Sequence, residues 1–237
     1  MRRIFFTLLL GIATLLPALA GPRSLPPAFT AVYTVKKAGL TLGDVKISLR
    51  YDNDRYRYHK ETRSRGLLAL FRRDVINETS EGRVEDGRLT MDRYRYVRDD
   101  GKRRLRNTIR LLEGDRIVER YKEKDYDYQV PANTLDRASV EIALMRDAGL
   151  DRERFGYDIA ERGRSKRLEF QRVGKRRVDT PAGRFDCVEY RVERHSRKRS
   201  TSLCLAPELN YLPVTITHVE KGTSFTMFLK AYHPIDG

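Results

Sequence analysis

Cysteine and histidine are the side chains best suited to nucleophilic, redox or metal chemistry near neutral pH, and this 237-residue chain has few of either. The two cysteines, Cys187 and Cys204, fall in segments that read as a hairpin. Residues 185–194 form one strand, 195–199 a charged turn and 200–206 the returning strand. If the hairpin closes around His195 and Ser196, Cys187 lies directly opposite Cys204. Facing positions on antiparallel strands can bring β-carbons within bridging distance, and such a closure contributes about 3 kcal/mol. The alternative is a pair of buried free thiols. No C-x-x-C is present, which argues against redox catalysis. None of His59, His195, His218 and His233 has a second histidine or a carboxylate at metal-ligand spacing. Each reads as a strand-face or turn residue. There is no G-x-S-x-G, P-loop or dinucleotide fingerprint. The sequence therefore nominates no catalytic residue, cofactor or metal ligand.

Charge is the remaining candidate. The chain carries 48 Lys and Arg against 33 Asp and Glu, a net charge of +15. Residues 162–177 (RGRSKRLEFQRVGKRR) contribute Arg162, Arg164, Lys166, Arg167, Lys175, Arg176 and Arg177 as candidate contacts for an anionic partner. Arg194, Arg197, Lys198 and Arg199 crowd the cysteine hairpin turn, and Lys102, Arg103, Arg104 and Arg106 form a third cluster. The RYRY sequence occurs at residues 55–58 and again at 93–96. Tyrosines beside arginines can stack on single-stranded nucleic acid. The simpler reading puts the tyrosines on the dry face of a strand and the arginines on the wet face.

The elements that must position these residues are mostly strands. Phe29, Ala31, Tyr33 and Val35 alternate with small or polar residues, as do Val45, Ile47, Leu49 and Tyr51. Leu105, Ile109 and Leu111, then Val214, Ile216 and His218, repeat the pattern. A period of two describes a sheet with one apolar and one charged face. Turn pairs such as Asp86-Gly87, Arg162-Gly163 and Lys221-Gly222 fall between the runs, giving about a dozen strands. One helix is expected over about residues 137–148. Asp136 is its N-cap, Val140, Ala143 and Leu144 its apolar stripe, and Gly149 its terminator. The fold class is mainly β: a curved antiparallel sheet, or an open or closed β-barrel, with that helix packed in or across it. The apolar stretch 66–71 (GLLALF) reads as a buried turn or a hydrophobic loop at a cavity mouth.

The first twenty residues place this domain outside the cytoplasm. Arg2 and Arg3, an apolar run over residues 4–20, and Ala18 and Ala20 match a signal peptide cleaved after Ala20. Residues 21–237 then form a single β-rich domain in the periplasm, with no transmembrane segment after cleavage. Export makes nucleic acid the least suitable anionic partner, and two cysteines in an oxidising compartment favour a bridge. An outer-membrane barrel is disfavoured, because 34% of residues are charged and aromatic girdles are missing.

Four segments, in order, resemble an exported bacterial family known as domain of unknown function 3108. These are Phe29-x-Ala31-x-Tyr33-x-Val35 followed by Gly39 and Gly43; Val130-Pro131-Ala132-x-Thr134-Leu135-Asp136-x-Ala138-Ser139; Asp179-Thr180-Pro181-Ala182-Gly183-Arg184-Phe185-Asp186; and Leu205-Ala206-Pro207-Glu208-Leu209-Asn210-Tyr211-Leu212-Pro213-Val214. The resemblance covers nearly the whole chain after the leader and implies fold and compartment, with no activity. Leu203-Cys204-Leu205 departs from the family pattern, which has a bulky aromatic there, so the bridge belongs to this protein or a subset.

Three functions follow, in descending order. The first is a non-catalytic carrier for a lipid or acylated envelope component, held against the apolar concave face. The second is a scaffold that docks on anionic surface polymer or a protein partner through the basic clusters. The third is a hydrolase with a dispersed site. Oligomeric state is not encoded in any recognisable motif.

Overall fold

The computed structural model describes residues 25–66, 74–150, 152–193 and 199–235. The expected signal peptide, residues 67–71 of the GLLALF stretch, and Arg194, Arg197 and Lys198 lie outside the described residues.

Alternating residues build fourteen strands. The first eight run as a meander: β1 (Phe29–Lys37), β2 (Leu40–Asp52), β3 (Arg55–Ser64), β4 (Val75–Glu85), β5 (Arg88–Asp99), β6 (Arg104–Leu112), β7 (Arg116–Tyr121) and β8 (Lys124–Gln129). Helix α1 (Ser139–Asp147) follows. A second meander has β9 (Arg154–Ala160), β10 (Ser165–Thr180), β11 (Gly183–Glu193), β12 (Arg199–Ala206), β13 (Leu212–Glu220) and β14 (Thr223–Pro234). The two halves join where β1 pairs with β14, giving one antiparallel sheet with β8 and β9 at its edges. The sheet is not closed by hydrogen bonds between those edges. Both central residues of Asp86-Gly87 and Lys221-Gly222 have positive φ, which matches hairpin turns to the twist of the strands.

The RYRY repeats fold as the simpler reading expects. Tyr56, Tyr58 and Tyr94 are buried on the concave face, and Arg55, Arg57, Arg93 and Arg95 are exposed on the convex one. Helix α1 is apolar on nearly every side, with Val140, Ile142, Ala143, Leu144 and Met145 all buried, so it must sit inside the curved sheet. It contacts β5 and β9, one strand from each half. The segment before it bonds to the β9 edge, through Leu135 N–H to the Asp158 carbonyl and Ala160 N–H to the Leu135 carbonyl, both 2.8 Å.

Asp136 caps the helix as expected. Its Oδ1 accepts the N–H groups of Ala138 (2.7 Å) and Ser139 (2.9 Å), and the Ser139 hydroxyl in return accepts the N–H of Asp136 at 3.0 Å. Its Oδ2 accepts the Ser80 hydroxyl at 2.5 Å, which ties the cap to β4. The other end of the helix departs from expectation. Gly149 takes no left-handed φ; the chain continues through a 3-10 turn, Ala148–Leu150, and the Tyr190 hydroxyl lies 3.4 Å from the Ala148 carbonyl. A tertiary partner stands where a local glycine cap was expected.

Cys187 and Cys204 are bridged, with α-carbons 5.4 Å apart. The hairpin register is shifted from the expected one. Glu189, not Cys187, faces Cys204, and Val188 faces Leu205, so the cysteines are diagonal neighbours. Strand twist, with an irregularity in pairing between Cys204 and Leu205, brings that diagonal within reach. The bridge faces away from the concave side, and the Arg176 Nε lies 3.3 Å from the Cys204 sulfur.

Candidate functional site

Strand pairing aligns a row of side chains across the first half of the sheet. Lys60 faces Glu78, Glu78 faces Tyr96, Tyr96 faces Asn107, and Asn107 faces Tyr121. All five line a cavity of about 600 Å³ on the concave side, and Val140 and Glu141 of the helix contribute to its lining. The opposite wall comes from the second half: Ile159 and Ala160 on β9, Leu168 and Phe170 on β10, Val192 on β11, Leu203 on β12 and Ile216 on β13. One wall is polar and aromatic, and the other is predominantly aliphatic.

The polar wall contains a partly buried ion cluster. Lys60 Nζ donates to Glu141 Oε1 and lies 3.8 Å from Glu78 Oε2. The Tyr58 hydroxyl donates to the other oxygen of Glu141 at 2.6 Å, and the Tyr94 hydroxyl donates to Glu78 at 2.6 Å. Desolvation pulls the Lys60 pKa down, but the carboxylates of Glu141 and Glu78 outweigh it and the net shift is upward. Lys60 therefore stays charged. Burial, reinforced by Glu141 and Glu78 respectively, pushes the Tyr58 and Tyr94 phenols well above their ordinary range, so both remain proton donors. One ammonium group is thus shared between two carboxyl groups. Beneath it, burial raises the Asp136 carboxyl to about 6 against the four hydrogen bonds it accepts or shares with Ser80, Ala138 and Ser139.

A second charged group stands where the β9–β10 turn approaches β7 and β8. Arg137 and Lys166 both reach Glu161, the latter at 3.8 Å. The Arg162 guanidinium lies 4.6 Å from the centre of the Tyr121 ring. Gly163 N–H donates to Glu119 Oε2 at 3.0 Å, and Tyr128 donates to the same oxygen at 2.8 Å. Glu119 is fully buried, and its Oε1 has no partner among the described residues. Position 163 needs glycine twice over: φ is +79°, and a β-carbon would sit 2.3 Å from the Tyr126 ring. These contacts bring the open edges of the sheet together at one end without strand pairing.

The basic residues singled out in the sequence divide by role. Of the 162–177 set, Arg162 and Lys166 line the cavity. Arg167 pairs with Asp158 at 2.9 Å, Arg176 with Glu189 at 3.4 Å, Arg177 with Asp186 at 2.7 Å, and Arg199 with Glu220. Arg164 and Lys175 are exposed. The sequence did not nominate Lys60, Glu78, Glu141, Tyr58 or Tyr94. Their signal was parity: Lys60 falls two residues after Tyr58, and so on the dry face, where a charge requires a partner. Among the described residues, no group of three or more His, Cys, Asp or Glu is arranged to hold a metal ion.

These features define a class: an incompletely closed antiparallel β-barrel, plugged by a helix, with a two-sided, partly open cavity on its concave side. The chain belongs to the family of proteins of unknown function DUF3108, whose model matches residues 30–230. The fold is similar to that of a β-barrel-like DUF1849 protein from Brucella abortus, with a TM-score of 0.60 and 13% identity over 90% of this chain and 100% of that one. A Bacteroides fragilis protein of YmcC-like fold, provisionally described as exported, aligns over 89% of this chain and 99% of its own at 9% identity, with a TM-score of 0.31. No curated protein matches the chain in sequence. Among the described residues no helix is long and apolar enough to cross a membrane.

The family motifs now have local causes. The Val130 to Ser139 motif supplies the helix cap and its tie to β4. In Thr180-Pro181-Ala182-Gly183, the Thr180 hydroxyl donates to the Gly183 carbonyl and accepts the Ala182 N–H. Pro207–Leu209 forms a 3-10 turn, closed by left-handed Asn210 and Tyr211. All three are architectural.

Proposed function

We propose that this protein is a non-catalytic binding or carrier module of the bacterial periplasm, and that its cargo is a hydrophobic or amphipathic envelope component such as a lipid or acylated molecule. The observation that carries the reading is the cavity: about 600 Å³, with one aliphatic wall and one wall of tyrosines and paired charges. Its volume lies within the range of sites that enclose small molecules, and its two-sided lining suits a ligand with a tail and a polar end. The leader-like residues 1–20 support the compartment.

The docking alternative has less support, because Arg167, Arg176, Arg177 and Arg199 already have carboxylate partners on neighbouring strands. Native mass spectrometry of protein released from the periplasm tests the carrier reading. A bound species of lipid mass, displaced by organic solvent, is expected. A bare polypeptide mass that stays bare after incubation with envelope lipid extract would contradict it.

A further inference from the structure

We infer that the cavity receives its ligand with an anionic group, a phosphate or carboxylate, at the Arg137–Arg162–Glu161 end, and that the ligand's tail lies along the aliphatic wall. This rests on the carrier reading above and adds the polarity and orientation of the cargo. The two charged ends of the cavity are not equivalent. At the Lys60 end, both carboxylates are occupied: Glu141 by Lys60 and Tyr58, Glu78 by Tyr94 and, at 3.8 Å, by Lys60. That end is closed by its own bonds and repels an anion. A cation entering there would have to displace Lys60 from two carboxylates.

At the other end Glu161 is the carboxylate reached by Arg137 and Lys166. Arg162, which also lines the cavity, has no carboxylate within ion-pair distance among the described residues and rests on the Tyr121 ring. A guanidinium held over an aromatic face keeps the N–H donors along its own edge free for a second partner. An oxyanion beside that edge accepts two parallel hydrogen bonds from a preset fork. A concave, partly apolar surround focuses the field of this surplus positive charge. Ile159, Leu168 and Phe170 come from the strands flanking the same turn, so the aliphatic wall begins beside the cationic end.

Calorimetric titration of the full exported chain with four probes tests the inference: decyl phosphate, decanol, decyltrimethylammonium and inorganic phosphate. Decyl phosphate should bind most tightly, and its affinity should fall as salt is added. Arg162→Gln should weaken decyl phosphate about fivefold, as loss of one charge-assisted contact at an exposed side chain implies, and should leave decanol unchanged. Arg162→Lys should fall between the two. Equal affinity for decyl phosphate and decyltrimethylammonium, or an Arg162→Gln variant that folds and keeps wild-type affinity, would overturn the anionic end while leaving the carrier reading intact. Inorganic phosphate binding as tightly as decyl phosphate would make this a free-anion site and overturn the orientation. Failure of every decyl compound to bind would defeat the carrier reading itself.

Discussion

The two walls of the cavity are built by the same rule and carry opposite chemistry. In both halves the chain alternates between concave and convex faces, and hairpins set the register. In β3 to β7 the concave row reads Lys60, Glu78, Tyr96, Asn107, Tyr121. In β9 to β13 the concave lining is mostly aliphatic, apart from Lys166, Phe170 and Thr201. The first wall is held by directional bonds that must be complete, because a buried charge without its partner is costly. The second is held by packing, which tolerates repacking within its volume. A disulfide on its convex side braces the second wall; a capped helix and an ion cluster brace the first.

The difference predicts where each wall breaks. Lys60→Met leaves Glu78 and Glu141 uncompensated and should cost about 3–5 kcal/mol in urea unfolding. Lys60→Met combined with Glu141→Gln should recover part of that loss, whereas two independent sites would show additive losses. On the second wall, removal of the bridge in Cys187→Ser/Cys204→Ser should cost about 3 kcal/mol. The shape of the concave cavity should be unchanged, so ligand affinity below the unfolding transition is expected to hold.

A pH titration separates the walls further. The Asp136 carboxyl binds its proton more tightly in the folded chain, at about 6, than its ordinary 3.8. Its contribution to stability is therefore fully present below about pH 4 and is lost as pH rises through 6, about 3 kcal/mol in all. Asp136→Asn should flatten that segment of the stability curve as measured by Tm. A curve rising between pH 4 and 6 in wild type but not in Asp136→Asn would show that the carboxylate is favoured on folding. The smallest effect belongs to the seam. Arg162→Gln should cost about 0.5–1 kcal/mol, the scale of an exposed cation–aromatic contact.

Strand parity made most of the fold legible. Tyr56, Tyr58 and Tyr94 on the dry face, the Asp136 cap and the helix that follows it are all local patterns. What could not be read locally was register. Lys60 meets Glu78 only because β3 and β4 pair in one particular alignment, and the ten residues of sequence between the two strands do not read as a two-residue turn that would fix it. The cysteine hairpin shows the same limit. The sequence 194–198 (RHSRK) contains no Gly, Asn or Asp to specify a turn type, and the register of the flanking strands differs from the expected one by two residues. Gly149 failed as a helix terminator for a related reason: Tyr190, 41 residues away in sequence, decides what happens there.

The chain contains no tryptophan, which makes the cavity directly observable. Ile216→Trp places one indole on the aliphatic wall, facing the polar row. Its emission should be blue-shifted, and titration with decyl phosphate should change it saturably at one ligand per chain. An emission maximum at the solvent-exposed value, or no change at any ligand concentration in a variant that unfolds cooperatively, would contradict a sheltered two-sided cavity.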